Sequence, residues 1–124
     1  MNRKICLTEI IKVLDAEVIT SFGEERIEIE MICASDLMSD VLSFSKSNAL
    51  LITGLINPQT VRTAEIVEIS AICFVHGKQP QEETVKLAEK NEIILLLTKF
   101  SMFEACGRLY LLGLTGCDEV PRLA

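Results

Sequence analysis

The sequence predicts a single α/β domain with a mostly parallel sheet of about 4-5 strands and helices on both faces. Uninterrupted apolar runs such as "ALLIT", "AICFV" and "IILLL" are typical of strands that are buried on both sides. Segments of helical periodicity separate these runs, which indicates repeated strand–helix units. The length of 124 residues fits one domain with its own core.

The N-terminal part of the chain predicts helices and strands in alternation. Thr8 is predicted to cap a first helix, and the Ser35-Asp36 pair is predicted to start a second. A polar turn is expected around residues 21–25. Alternating or continuously apolar residues predict three strands in this part: Ala16–Thr20, Arg26–Ala34 and Ala49–Thr53.

The C-terminal part continues the alternation, with three helices and two strands. Asn57 is predicted to cap a helix with Pro58 at its first position, where a missing N–H costs nothing. Pro80 is predicted to begin the next helix, and Ser101 to cap the last one. The strands are predicted at Ala71–Val75 and Glu92–Thr98. We expect one domain over residues 1–114 and an irregular tail over residues 115–124.

Charge and hydropathy limit the classes of partner. The net charge is −6 and the pI is about 4.8, so phosphate backbones repel the chain and nucleic-acid binding is not expected. Charged residues interrupt every apolar stretch before the roughly 18 residues of a membrane helix, and the N-terminus lacks a signal-peptide pattern. We therefore expect a cytoplasmic chain that binds no membrane.

The apolar content is high for a small chain, with 49% hydrophobic residues and a mean hydropathy of +0.36. A sheet buried on both faces and a subunit interface could both account for this surplus. We expect both, and we expect the chain to form a homo-oligomer, with a dimer favoured.

The five cysteines do not indicate a metal site. They lack the closely paired spacing that zinc or iron–sulfur sites need, and four of them lie in apolar stretches where cysteine behaves as a small hydrophobe. An odd number of scattered thiols fits a reducing compartment. No metal and no cofactor is expected.

Chemistry is expected where the strands end, because ligands of open α/β sheets bind at the carboxyl ends of the strands. Four loops there offer backbone N–H groups and helix N-termini that could hold a phosphate. The same residues could equally be ordinary helix caps and turns. The candidate ligand-binding residues are Ser35, Asp36, Thr53, Gly54, Asn57, Arg62, His76, Gly77, Lys78, Thr98, Lys99 and Ser101.

Enzyme signatures are missing from the sequence, which contains no phosphate-binding loop, dinucleotide fingerprint, nucleophile elbow or zinc-protease motif. His76, the only histidine, follows a predicted strand without an identifiable orienting group, so no residue is predicted to be catalytic. Arg108 is expected to pair with Glu104 on a helix surface.

The segments "ASDLMSDVL", "ALLITG" and "NPQTVRTAEIVEIS", with the long stretch through "TKFSMFEACGRLYLLG", resemble the DRTGG domain family. The resemblance covers residues 1 to 114. The family is similar to the N-terminal domain of HPr kinase/phosphorylase, and this chain resembles a stand-alone version of that domain. It implies a non-catalytic regulatory module, as found in pyrophosphatases with CBS domains.

This chain departs from the family pattern at two places. His76-Gly77-Lys78 stands where relatives carry a Thr-Gly-Gly-like turn, and Asn57-Pro58 stands where relatives often carry Asp-Arg or His-Pro. Ligand contacts of relatives therefore do not transfer directly to this chain.

Three functions follow as alternatives. The first is a sensor that binds a nucleotide or phosphometabolite at the strand ends and self-associates. The second is an adaptor without a small ligand that docks onto a redox or signalling enzyme through an apolar face. The third is an enzyme that uses His76 or Cys33.

Overall fold

The structure is a computed structural model, and it describes residues 3–23 and 26–117. Helices and strands alternate along most of this part of the chain. The five helices found there are α1 (Leu7–Val13), α2 (Met38–Phe44), α3 (Pro58–Ile66), α4 (Glu82–Lys90) and α5 (Met102–Leu111). The eight strands found there are β1 (Ile5–Cys6), β2 (Glu17–Thr20), β3 (Glu28–Ile29), β4 (Met31–Ala34), β5 (Ala49–Thr53), β6 (Ala71–Phe74), β7 (Ile94–Leu97) and β8 (Thr115–Gly116).

Six of these strands form one sheet in the order β2-β7-β6-β5-β4-β8. All neighbours pair in parallel except β2, which runs antiparallel to β7 at one edge. Strands β1 and β3 form a separate antiparallel pair. The predicted fold class is confirmed, although the main sheet has more strands than the sequence predicted.

Helices cover both faces of the main sheet. Residues of α1 and α5 pack on one face, and residues of α2, α3 and α4 pack on the other. Every residue of β5, β6 and β7 is buried, because these central strands have helices above and below. This position explains the continuous apolar runs from which the parallel sheet was predicted.

Two predicted boundaries near the N-terminus were wrong. Helix α1 begins at Leu7 without a side-chain cap, and Thr8 lies inside it. The predicted strand Arg26–Ala34 is divided at Glu30, whose N–H donates to the carbonyl of Asn48. The division has a physical cause: β3 before Glu30 pairs with β1, whereas β4 after it pairs with β5.

Two helices begin later than the sequence predicted. The Ser35 hydroxyl accepts a hydrogen bond from the backbone N–H of Leu37 at 3.0 Å, a local turn that delays α2 until Met38. Helix α4 begins at Glu82 and not at Pro80. The predicted caps Asn57 and Ser101 do accept backbone hydrogen bonds at the starts of α3 and α5, at 3.0 Å and 3.1 Å.

The segment after residue 114 was expected to be irregular, yet Thr115 and Gly116 pair with β4. A strand of two residues is too short to produce a periodic sequence signal. Residues 118–124 of the predicted tail, and residues 24–25 of the predicted polar turn, lie outside the described residues.

Candidate functional site

The loops after β4, β5, β6 and β7 lie side by side at the carboxyl edge of the sheet. Backbone pairing continues past the strands, because Val75 N–H donates to Thr53 and Thr98 N–H donates to Phe74, at 3.2 Å and 2.9 Å. The predicted site residues on these loops are therefore gathered at one edge. This is where open α/β sheets place their ligands.

Asp36 joins the first two of these loops. Its Oδ1 accepts hydrogen bonds from the Thr53 hydroxyl at 2.9 Å and from the Gly54 backbone N–H at 2.7 Å. The same hydroxyl accepts from Leu55 N–H at 3.1 Å. The carboxylate is consequently held in place at the end of β5, with Oδ2 accepting no hydrogen bond from any described residue.

Lys78 brings the third loop to the same point. A Cβ placed on Gly54 would lie 3.7 Å from Lys78 Nζ and 3.6 Å from each carboxylate oxygen of Asp36. The ammonium of Lys78 and the carboxylate of Asp36 therefore both lie close to the backbone of Gly54. No ion pair within 4 Å holds Lys78 among the described residues, so its charge is available.

A tight turn positions Lys78. His76 and Gly77 both have positive φ, 60° and 64°, and Lys78 N–H donates back to the carbonyl of Val75 at 3.2 Å. These features are those of a type I′ turn. Two further bonds attach the turn to the fourth loop: His76 N–H donates to Phe100 at 2.8 Å, and Gly77 N–H donates to Thr98 at 2.9 Å.

These bonds change how an anion would be held. The sequence suggested that the loops offer exposed backbone N–H groups, but several already donate to acceptors within the protein. They belong to Leu37, Gly54, His76, Gly77 and Lys78. The side chains, and not these amides, are the groups left to meet a ligand.

Several candidate residues have structural hydrogen bonds. Thr98 is fully buried and its hydroxyl donates to the carbonyl of Leu14 at 2.6 Å. Thr53 is also fully buried and is bonded to Asp36, while Asn57 and Ser101 are caps. Among the candidate residues at this edge, five are exposed: Asp36, His76, Gly77, Lys78 and Lys99. Four are half-buried: Ser35, Gly54, Asn57 and Ser101.

Arg62 lies in a different surface feature. It lines a groove of about 280 Å³ between α3 and α4, together with Lys86 and Lys90. Glu83 lines the same groove, and Lys86 pairs with Glu82 at 3.2 Å. The structure thus groups Arg62 with the basic side chains of α4, a neighbourhood that the sequence could not reveal.

A small cavity beside the end of β4 was not foreseen. It has a volume of about 130 Å³ and is lined by Cys33, Ser35, Asp40, Phe44 and Cys117. The sequence contained no signal for it, because Cys117 comes beside Cys33 only through the unpredicted strand β8.

Burial suppresses ionisation of two other thiols. Desolvation raises the pKa of Cys73 to about 12 and also raises the pKa of Cys106. In the part of the chain that the structure describes, no group of three or more His, Cys, Asp or Glu side chains could hold a metal ion. None of the helices described is long and apolar enough to cross a membrane.

The geometry places the chain among the open α/β domains, whose strand-end loops form the usual ligand site. The chain belongs to the DRTGG domain family, whose model matches residues 9–112. The family predicted from the sequence is thereby confirmed. No curated protein sequence matches the chain.

A crystal structure with the same fold contains the CBS and DRTGG domains of the regulatory region of Clostridium perfringens pyrophosphatase, complexed with its activator, diadenosine tetraphosphate. The TM-score is 0.69, and the sequences are 20% identical. The match covers 83% of this chain and 45% of the other chain. This protein therefore corresponds to less than half of that regulatory region, and the likeness establishes the fold.

Proposed function

We propose that this chain is a non-catalytic regulatory module that binds a nucleotide or phosphometabolite at the carboxyl edge of its sheet. The proposal rests on one arrangement: Lys78 Nζ and the anchored carboxylate of Asp36 both lie close to the backbone of Gly54 at the end of β5. Three loops contribute to this point. A rigid turn, attached to the fourth loop, holds the lysine there.

The charges at this edge suit a nucleotide. Lys78 and Lys99 are exposed on adjacent loops, and no ion pair holds either among the described residues. They can attract phosphate groups even though the whole chain is acidic. The unused Oδ2 of Asp36 can accept hydrogen bonds from hydroxyl or amino groups, which ribose and adenine provide.

The structural neighbour supports the nucleotide class. Its regulatory region was crystallised with diadenosine tetraphosphate, an activator of that pyrophosphatase. For the present chain we infer a ligand of the same chemical kind, with phosphate and nucleoside parts. Regulation of a larger enzyme through such a ligand is part of the proposal.

The surroundings of His76 favour a non-catalytic role. Its side chain is exposed and makes no hydrogen bond with any described residue, whereas a catalytic base needs an orienting partner. In the turn, His76 provides one of the two residues with positive φ, which is a structural role.

Thermal denaturation with a panel of adenine nucleotides, diadenosine tetraphosphate and phosphorylated metabolites tests the proposal. We expect at least one compound to raise the melting temperature at millimolar concentration. The shift should be lost in Lys78→Ala, reduced in Lys99→Ala and kept in Lys12→Ala, a lysine on α1. No shift with any compound, or an equal shift in Lys12→Ala and Lys78→Ala, would refute binding at this edge.

Self-association is a second candidate function, and α5 carries the observation that favours it. Phe103 and Leu111 are 87% and 86% exposed, more than any other large apolar residue described. They stand four residues to either side of Gly107, and Tyr110 is also exposed. We call these four residues the α5 stripe.

The α5 stripe is suited to a second copy of this chain. If two α5 helices cross antiparallel at Gly107, Phe103 of each copy meets Leu111 of the other, as a two-fold interface requires. An added Cβ at Gly107 would meet nothing within 4 Å, so the helix surface is open at the crossing point. Arg108 pairs with Glu104 at 2.8 Å, as predicted. Because this pair neutralises the charge of Glu104, this face of α5 adds little to the repulsion between two acidic chains.

Light scattering tests self-association. We expect a dimer that Phe103→Glu and Leu111→Glu convert to monomers, while Ile66→Glu, at an equally apolar exposed site on α3, leaves it intact. A wild-type monomer at high concentration contradicts the dimer. It would favour the adaptor alternative, in which a redox or signalling enzyme covers the α5 stripe.

A further inference from the structure

The pairing of β4 with β8 places two cysteines side by side. Met31 stands opposite Thr115 and Ile32 opposite Gly116. The N–H of Cys117 donates to the carbonyl of Ile32 at 3.2 Å, which extends the pairing by one residue. Cys33 is therefore the cross-strand neighbour of Cys117.

Both side chains lie on the same face of the sheet. Cys33 and Cys117 belong to the apolar cluster between the sheet and the layer of α2, α3 and α4, and they are 7% and 5% exposed. They also line the same cavity of about 130 Å³. Both cysteines therefore border the same space beside the end of β4.

The distance between adjacent strands suits a disulfide. Neighbouring strands lie about 4.8 Å apart, and disulfides join Cα atoms that are about 4.4–6.8 Å apart. Cys33 and Cys117 are not joined by a disulfide in the structure. The register thus places the two cysteines at a Cα separation within the range of disulfides.

We propose that Cys33 and Cys117 form a redox-active pair that closes reversibly to a disulfide. With a low-molecular-mass disulfide as oxidant, the thiolate of one cysteine attacks the reagent, forms a mixed disulfide and releases one reagent thiol. The thiolate of the second cysteine then attacks the mixed disulfide and releases the other reagent thiol. The protein loses two electrons and two protons, and the reagent is reduced to two thiols.

The consequence of closure is a covalent link between β8 and β4. Strand β8 has two residues and lies at the edge of the sheet, so few hydrogen bonds hold it there. A disulfide between residues 33 and 117 encloses most of the chain, which reduces the freedom of the unfolded state. We expect oxidation to raise the melting temperature by on the order of 10 °C, and reductant to reverse the rise.

Cys73 and Cys106 are the rival pair: burial is the main cause of the raised pKa of Cys73, and the neighbouring Cys106 raises it further. Cys73 lies on the central strand β6, and Cys106 lies on the covering helix α5. Their backbones belong to different layers of the fold. The cross-strand register that supports the pairing of Cys33 with Cys117 has no counterpart there.

The test incubates the full chain with glutathione disulfide and then maps its cysteines by differential alkylation and peptide mass spectrometry. We expect a cross-linked peptide pair containing residues 33 and 117, with the mass of two hydrogen atoms lost and a reductant-sensitive rise in melting temperature. Cys33→Ser and Cys117→Ser should each abolish that rise, and Cys6→Ser should keep it. The mapping uses the wild-type chain and needs no variant to fold.

Three results would overturn the proposal. They are mixed disulfides that never resolve to a cross-link, a cross-link between residues 73 and 106, and a cross-link only between separate chains.

Discussion

The backbone N–H of Gly54 donates a hydrogen bond of 2.7 Å to the carboxylate of Asp36. This bond links the loop after β5 to the loop after β4, and it orients a carboxylate that lies, like Lys78 Nζ, close to the Gly54 backbone. Because Gly54 has no side chain, the Asp36 carboxylate and Lys78 Nζ can both lie within 4 Å of the position that a Cβ would occupy. Stability and the proposed ligand site therefore depend on the same contact.

The first prediction concerns Asp36. Asp36→Ala removes the acceptor of both Gly54 N–H and the Thr53 hydroxyl, so we expect the free energy of unfolding to fall by about 1 kcal/mol. Asp36→Asn keeps an acceptor oxygen and should cost less. Urea denaturation measures both, with Asp40→Ala on α2 as the control. Equal values for Asp36→Ala and Asp40→Ala would contradict the structural role of the carboxylate.

The second prediction compares two buried threonines. Thr98→Val leaves the carbonyl of Leu14 without its hydrogen bond, and we expect a loss of about 1–3 kcal/mol in the free energy of unfolding. Thr63 is equally buried, but its hydroxyl has no partner among the described residues. Thr63→Val should therefore be neutral or stabilising. If denaturant titration shows the same change for both variants, the Thr98 bond does not contribute as stated.

The third prediction concerns the turn at His76. Its φ of 60° is unfavourable for most residues, and Asn-Gly is the preferred pair for a type I′ turn. We expect His76→Asn to raise the melting temperature slightly and His76→Val, with its branched side chain, to lower stability by about 1–2 kcal/mol. Calorimetry checks both. A loss of stability in His76→Asn would show that the imidazole itself holds the turn.

The fourth prediction is a pH dependence from Cys73. Burial raises its pKa from 9.0 to about 12 in the folded protein, so between these values the unfolded state has lost a proton that the folded state retains. The stability contributed by the neutral thiol is complete below pH 9.0 and is lost as the pH rises towards 12. The free energy of unfolding should fall less steeply over this range in Cys73→Ala than in wild type. Cys6→Ala, at an exposed cysteine, should keep the wild-type slope.

The fifth prediction separates folding from self-association at Gly107. Gly107→Ala should stabilise the monomer by about 1 kcal/mol, because alanine is the better helix former and its Cβ meets nothing within 4 Å. The same methyl should weaken the dimer if two α5 helices cross there. Gly113→Ala is the contrasting variant, since φ is +100° and its Cβ would lie 3.0 Å from Arg3 Cδ, so it should destabilise the fold. A dimer tightened by Gly107→Ala would exclude the proposed crossing.

The sequence predicted the central architecture because the central strands have a clear sequence pattern. Residues of β5, β6 and β7 are buried on both faces, so their apolar runs are continuous and separate clearly from helical patterns. The caps Asn57 and Ser101 were predictable for a similar reason, since a cap depends on a hydrogen bond to a residue two or three positions away. The strand-end location of the candidate residues then followed from the connectivity of parallel sheets.

Tertiary structure decided the features that depend on residues distant in sequence. The Asp36–Gly54 bond, the position of Lys78 over Gly54 and the pairing of Cys33 with Cys117 each join separate segments. Short strands such as β1 and β8 exist only because a neighbouring strand provides their hydrogen bonds. Local periodicity and capping chemistry therefore determined the class of fold, while contacts across the sheet edge decided which groups remain available to a ligand or an oxidant.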